Sequence, residues 1–235
     1  MNRRLRESGA AYPVPRAGRP GRYPGSVVYA LILTKKDEAR ADAVAGLVAA
    51  AVERREALGL QGPLTAQEYR RHLDELLDAA EGGDAGLAAA LDEDGTVLGT
   101  AQWTRSPYGT RRVLAELDRV CVAPEARGRG VGRLLVECIA ADAGEHGVEV
   151  LGLEARGNNH GAIALYEHCG FRRTGLIPNA VALGAERYDI VLMHRELPRP
   201  TGLRLVGSRP VGPGASDRSA GSGSPGKRIG LDKMD

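Results

Sequence analysis

The segment Arg127-Gly128-Arg129-Gly130-Val131-Gly132-Arg133 alternates basic side chains with glycines directly ahead of a run rich in leucine, valine and isoleucine. The first N–H groups of a helix have no intrahelical partner, and the helix dipole places partial positive charge there. Glycines at 128, 130 and 132 leave such amides uncovered, so an anionic group, usually a phosphate, can approach them. Arg127, Arg129 and Arg133 add charge around it. Two other phosphate loops are excluded by spacing. A Walker loop ends in GK[ST], whereas Gly132 is followed by Arg133-Leu134, and a dinucleotide loop reads GxGxxG, which Gly128-x-Gly130-x-Gly132 does not match. A tight strand-to-helix turn with surface arginines would explain this loop alone equally well.

The other reactive side chains narrow the chemistry. Cys121, Cys138 and Cys169 are odd in number, far apart and outside any CxxC pair, which argues against a disulfide framework or a zinc site. None stands in a Cys-His-Asp context, so each reads as a small buried hydrophobe. The five histidines are scattered without ligand spacing, and no metal is expected.

These residues must be held by a scaffold that is legible in outline. Val27–Leu33 reads as a strand. Asp37 to about Leu58 reads as an alanine-rich helix with Asp37 as N-cap. Thr65 and Glu68 form a capping-box signature for a helix ending near Glu81 at Gly82-Gly83. Two strand-like runs, "AGLAAAL" and "TVLGTAQWT", flank Asp92-Glu93-Asp94-Gly95 as a hairpin. Val113–Val122 is the next strand, Gly128 to about His146 a helix, Val148–Ala155 a strand and Asn159–Cys169 a helix. A short strand from Phe171 to about Gly175 and a last one from Tyr188 to Arg195 complete the order β-α-α-β-β-β-α-β-α-β-β. The fold class is therefore α/β, a mixed sheet with helices on its faces and parallel neighbours within 113–155.

The 235 residues carry a formal net charge of +2, but the charge is unevenly placed. Residues 1–25 hold six arginines against one glutamate, and residues 199–235 hold seven basic residues against three aspartates. The middle, 26–198, keeps 19 basic against 26 acidic residues, a net −7. Both ends are rich in Gly, Pro, Ser and Arg, a composition that cannot bury enough apolar surface to offset chain entropy. They are expected to be disordered: 1–25 as a basic extension and 198–235 as a Gly/Ser/Pro-rich tail around a folded domain at 26–197. Lacking interleaved aromatics, they read as solvated ends, and no nucleic-acid partner is expected. No apolar run approaches the roughly 20 residues of a membrane span. The prolines at 13, 15, 20 and 24 stand where a signal peptide would be apolar. No membrane partner is expected, and the cytoplasm is the expected compartment.

Two motifs together carry a family resemblance. Arg127-x-x-Gly130-x-Gly132 resembles the acetyl-CoA pyrophosphate loop of the GNAT N-acetyltransferases. Asn159-x-x-Ala162-x-x-Leu165-Tyr166-Glu167-x-x-Gly170-Phe171 resembles that family's other strong motif, in the family's order and spacing. The resemblance covers roughly residues 26–197 and is densest from Val113 to Phe171. It implies a mixed, mostly antiparallel twisted sheet of about seven strands, four flanking helices and splayed central parallel strands. It also implies acetyl-CoA as co-substrate, without a metal, and direct attack by an amine in a ternary complex.

By the same resemblance the pyrophosphate sits on the amides of Gly128, Arg129, Gly130, Val131 and Gly132, with Arg127 and Arg133 beside it. Backbone groups of Cys121 and Val122 bind the pantetheine arm. Tyr166 takes the place of the general acid, since a phenol with a pKa of about 10 stays protonated at neutral pH. Asn159 binds the arm or serves only as an N-cap. The "LEA" segment at 153–155, twelve positions before Tyr166, resembles the ribosomal-protein alanine acetyltransferases and makes Glu154 the first candidate base. Glu116 is the second; strand alternation places it on one face with Asp118 and Val120. A water relay is the remaining alternative.

The acceptor is expected to meet the variable parts: the first two helices, "RSPYGTRR" and "PNAVALGAERYD", with Trp103, Tyr108, Tyr188 and Asp189 as candidates, Trp103 and Tyr188 reading equally well as core or edge packing. "GLIPNAV" and "YDIVLMHREL" are similar to tabtoxin-resistance-type enzymes, pointing to an amine-bearing small molecule. The alternatives are a protein N-terminal alanine-type acetyltransferase and a non-catalytic acetyl-CoA-binding module. A homodimer is left open.

Overall fold

A computed structural model describes residues 28–60 and 62–198. The expected extension 1–25 and, apart from Pro198, the expected tail 198–235 lie outside the described residues. Seven strands form one sheet in the order β1-β2-β3-β4-β5-β7-β6. In chain order the elements are β1 Tyr29–Ile32, α1 Glu38–Glu53, α2 Ala66–Glu81, β2 Ala85–Leu91, β3 Val97–Arg105, β4 Leu114–Val122, α3 Val131–Glu145, β5 Val150–Arg156, α4 His160–His168, β6 Arg172–Leu183 and β7 Glu186–Glu196. The order and the count of four helices match the sequence expectation.

Each face of the sheet buries a different set of helices. On one side α1 presents Ala41, Val44, Ala45, Val48, Ala51 and Val52, a three-and-four spacing that makes a single apolar stripe. With Tyr69, Leu73, Leu76 and Leu77 of α2 it covers Leu31, Leu87, Ala89 and Leu91. Burying a valine side chain is worth about 1.5–3 kcal/mol, so Val48→Asp would strike at the middle of this layer. On the other side α3 packs Leu135, Val136 and Ile139 against Trp103, Leu117 and Leu151. Trp103 is fully buried there, and its Nε1 donates to Asp142 Oδ2 at 2.7 Å.

The feature that matters for function is in the middle of the sheet. All neighbours pair antiparallel except β4 and β5, which run parallel and pair at only three positions, Leu114↔Val150, Ala115↔Leu151 and Glu116↔Gly152. Beyond Glu116 the strands part, β4 keeping β3 as partner and β5 keeping β7. The splay lies where it was expected.

Four local expectations are corrected. First, α1 ends at Glu53 rather than near Leu58, because Arg55 enters the left-handed region at φ 59°. Second, Asp37 stands at the N-cap of α1 as expected, but its side chain makes no bond to the first-turn amides. Its carboxylate turns back to accept from Thr34 N and Oγ1, whereas the Thr65–Glu68 capping box of α2 is fully formed. Third, β4 carries a bulge: the register shifts between Thr100 and Gln102, and Arg119 has φ 52°. The extra residue reverses alternation, so Val120 packs toward the α3 side while Cys121 joins the α1–α2 layer. Val120 therefore does not share a face with Glu116 and Asp118. Fourth, β6 runs twelve residues, not five, and meets β7 in a tight turn at Gly184. A bulge between Ile177 and Val181 accommodates Pro178, and Asp189 Oδ1 accepts the Asn179 N–H there at 2.9 Å.

Candidate active site

The glycine–arginine loop is shaped by backbone demands. After β4 a single 3₁₀ turn, Pro124–Ala126, leads into Arg127. Gly130 is the N-cap of α3 with φ 82°, a conformation that side chains with a Cβ rarely adopt, and no side chain caps the first turn. The ladder begins when Leu134 N donates to Gly130 O at 3.0 Å, so the N–H groups of Val131, Gly132 and Arg133 are outside it. Gly132 has a different reason: a Cβ there would stand 2.9 Å from Leu165 Cδ2. It sets how closely α3 approaches α4, and thereby the width of the cleft between them.

That cleft, about 650 Å³, opens over the parting of β4 and β5. Of the residues assigned to coenzyme binding, all but Cys121 and Arg129 line it, including Val122, Arg127, Gly128, Gly130, Asn159 and Tyr166. Arg129 is exposed and stands outside the lining. Cys121 is 2% exposed, and burial pushes its thiol up to about 11. Its backbone is committed as well. Ala123 N donates to Leu98 O at 2.9 Å and Cys121 pairs with Thr100, so by antiparallel alternation the N–H and C=O of Cys121 point to β3. Those of Val122 face the gap. The Cys121 backbone is thus turned away from the gap, contrary to what the resemblance implies, and Val120, across the bulge, lines the cleft instead. The signal lay in the bulge, and a sequence without pairing information does not display it. Asn159 is the N-cap of α4, its Oδ1 accepting from Ala162 N at 3.3 Å.

A larger cavity of about 1540 Å³ lies on the other side of the gap. Glu116, Asp118 and Glu154 line it, with Arg119 and residues 58–60, 62–65 and 180–186 as walls. Desolvation first, then the charges of Asp118 and Glu154, raise the Glu116 carboxyl above its ordinary range. The two cavities share Glu56, Ala57, Val120, Arg156 and Tyr166. Tyr166 packs edge-on against Phe171, with ring centroids 5.9 Å apart. Burial, then the charges of Asp118 and Cys169, push its phenol pKa upward, so it holds its proton at neutral pH.

Of the acceptor candidates, Trp103 is withdrawn into the core and bound to Asp142. Tyr108 is 63% exposed, with the Arg111 guanidinium over its ring, and the loop 105–112 lines neither cavity. Tyr188 donates to Glu186 and carries Arg156 over its ring, while Asp189 braces the β6 bulge. The first-helix connection and the β6–β7 hairpin are the two variable segments that do form the cavity wall. Among the described residues no group of three or more His, Cys, Asp or Glu is arranged to hold a metal ion, and no helix is long and apolar enough to cross a membrane.

The Acetyltransferase (GNAT) family model matches residues 48–171, more than half the chain; the stretch contains every residue that lines the smaller cleft, while the 180–190 wall of the larger cavity lies beyond it. The chain belongs to the GNAT acetyltransferase family. Within it, the chain is 35% identical over 112 residues to a mycothiol acetyltransferase of Propionibacterium freudenreichii, covering 47% of this chain and 34% of that one. It is 37% identical over 101 residues to a streptothricin acetyltransferase of Streptomyces lavendulae, covering 42% and 52%. A [ribosomal protein bS18]-alanine N-acetyltransferase of Salmonella typhimurium is 35% identical over 79 residues, covering 34% and 53%. The chain thus spans about a third to a half of the length of these curated relatives. A GNAT phosphinothricin acetyltransferase of Sinorhizobium meliloti, solved in complex with AcCoA, shares the fold with a TM-score of 0.64 at 22% identity, over 75% of this chain and 93% of that one.

Proposed function

We propose that this protein moves an acetyl group from acetyl-CoA to a primary amine of a small molecule. The observation that carries the reading is the meeting of two cavities at Tyr166, one with free helix-end amides and one with carboxylates. The residues present fit the coenzyme. The amides of Val131, Gly132 and Arg133 suit a diphosphate, and the parted strands leave the Val122 backbone without a strand partner, its carbonyl held by Arg127 Nε, so that an extended arm can take it over. When bound, acetyl-CoA supplies an activated thioester. Val120, at the bulge, is positioned to offer its N–H to the thioester oxygen. Glu154, or Glu116 beside it, accepts the proton the amine gives up as the C–N bond forms. Tyr166 Oη returns a proton to the departing sulfur. Holding both reactants in adjoining cavities supplies much of the acceleration.

A second reading, acetylation of a protein N-terminal alanine, is favoured by the Glu154–Tyr166 pattern and by the bS18-directed relative. Thiol release from acetyl-CoA, measured against panels of small amines and of N-terminal peptides, tests both. Release with amines alone supports the first reading and release with peptides alone the second. No release with either sinks both and leaves a binding module. The net −7 of residues 26–198 favours a cationic acceptor through long-range steering. Turnover of such an acceptor should weaken as salt rises, and a flat response removes that support.

A further inference from the structure

The connection that follows α1, residues 54–60, runs beside both cavities, and Glu56 and Ala57 line the two alike. It is fastened at two points. Glu56 Oε1 accepts from Arg54 Nε at 2.8 Å and from Arg127 Nη2 at 2.6 Å. Arg119, the bulge residue, donates from Nη1 to the Leu58 carbonyl at 2.6 Å. The first tie belongs to the phosphate loop and the second to the bulge. Arg127 is doubly engaged, because its Nε also donates to the Val122 carbonyl at 3.2 Å. That carbonyl faces the gap between β4 and β5. The Arg127 side chain therefore reaches from the seat of the pantetheine arm to Glu56. A diphosphate at the start of α3 competes with Glu56 for this guanidinium, and the arm competes for Val122.

We propose that Glu56 is a positioning residue that holds Arg127 across the coenzyme cleft in the free protein and yields it to the diphosphate on binding, which loosens residues 54–60 along the acceptor cavity. This rests on the coenzyme reading above. Coenzyme occupancy and the acceptor wall then become coupled, and the coupling is reciprocal. The Arg127 side chain is 51% exposed and that of Glu56 21%. Such a partly exposed pair changes an affinity by a factor of about 2–5.

Coenzyme A titrated calorimetrically into wild type and Glu56→Gln should bind about 2–5-fold more tightly to the variant. Glu56→Asp, which keeps the charge, should stay nearer wild type. Amide exchange over 56–60 should quicken when coenzyme A is added to wild type. In Glu56→Gln it should be fast already and indifferent to coenzyme. Equal or weaker binding by Glu56→Gln, or wild-type exchange that coenzyme leaves unmoved, overturns the proposal while the coenzyme site stands. No heat with wild type removes the site and the proposal together. The wild-type exchange measurement decides the matter even if the variant fails to fold.

Discussion

The two cavities that meet at Tyr166 are built on different principles. The cleft we assign to the coenzyme is made mostly of backbone: a helix start without a side-chain cap, a parted pair of strands and glycines fixed by φ or by close approach. Such a site tolerates almost no change at its few key positions and varied side chains elsewhere. The cavity we assign to the acceptor is walled by residues 58–60 and 62–65 and by the connection 180–186, over a floor of carboxylates. Those connections can be rewritten without disturbing the sheet. A common donor and a variable acceptor suit this division, and each variant below tests whether the two sides are separable.

The largest expected effect falls on the backbone side. Gly130→Asp forces an L-residue to φ 82° and sets a carboxylate against the diphosphate. Coenzyme A affinity should drop by more than about a hundredfold, read by calorimetry, with circular dichroism unchanged. Retained affinity would remove the helix-start site. On the acceptor side, Glu154→Gln should lower kcat by about 10²–10³ while leaving coenzyme affinity within twofold. If both quantities fall together, the two sides are not separable at β5. Tyr166→Phe removes a single proton donor at the junction, and kcat should fall by about 10–10²-fold at unchanged coenzyme affinity. Unchanged kcat takes Tyr166 out of the acid role.

The same division explains what the sequence made legible. Glycines at 130 and 132 and the N-cap Asn159 mark backbone events at fixed positions, so the shape of the two helix starts beside the cleft is legible in the sequence. The capping box at Thr65 and the alanine stripe of α1 were visible for the same reason, since local chemistry decides them. Pairing was not visible. The bulge at Arg119 exists because β4 carries one residue more than β3 between two paired positions, and nothing within β4 announces it. The resemblance names Cys121 together with Val122, and only the bulge shows the Cys121 backbone turned to β3. The hairpin of β6 and β7 was hidden by Pro178, which reads as a strand breaker yet sits on the sheet's edge, where no partner needs its missing N–H. Trp103 reads equally as acceptor contact or core packing in the sequence, because nothing local reveals that Asp142 of α3 meets its indole nitrogen; the structure decides for the core.

A wall residue of the acceptor cavity should have a smaller effect, confined to one side. Leu183 is 36% exposed and lines that cavity on the β6–β7 turn. Leu183→Ala should change the acceptor KM a few-fold, in whichever direction the acceptor's shape dictates, and leave coenzyme affinity alone. A change in coenzyme affinity would mean that the hairpin reaches both cavities.

The smallest effect is the one that joins stability to function. Glu116 has its proton affinity raised in the folded state by burial, Asp118 and Glu154. A carboxyl whose folded pKa lies above its unfolded one binds protons more tightly when folded, so its contribution to stability is present at low pH. It is lost as pH rises through the folded value. At neutral pH the charged Glu116 therefore opposes folding, and Glu116→Gln should raise Tm slightly at pH 7, with the gain vanishing toward pH 4. If Glu116 also accepts the proton, the same variant should lower kcat and move the acid limb of the pH–rate profile, since activity needs the carboxylate and falls as pH drops through the raised value. A higher Tm with unaltered kcat would leave the base role to Glu154 alone. A lower Tm would mean that the crowding of carboxylates on the cavity floor is compensated by contacts the substitution breaks.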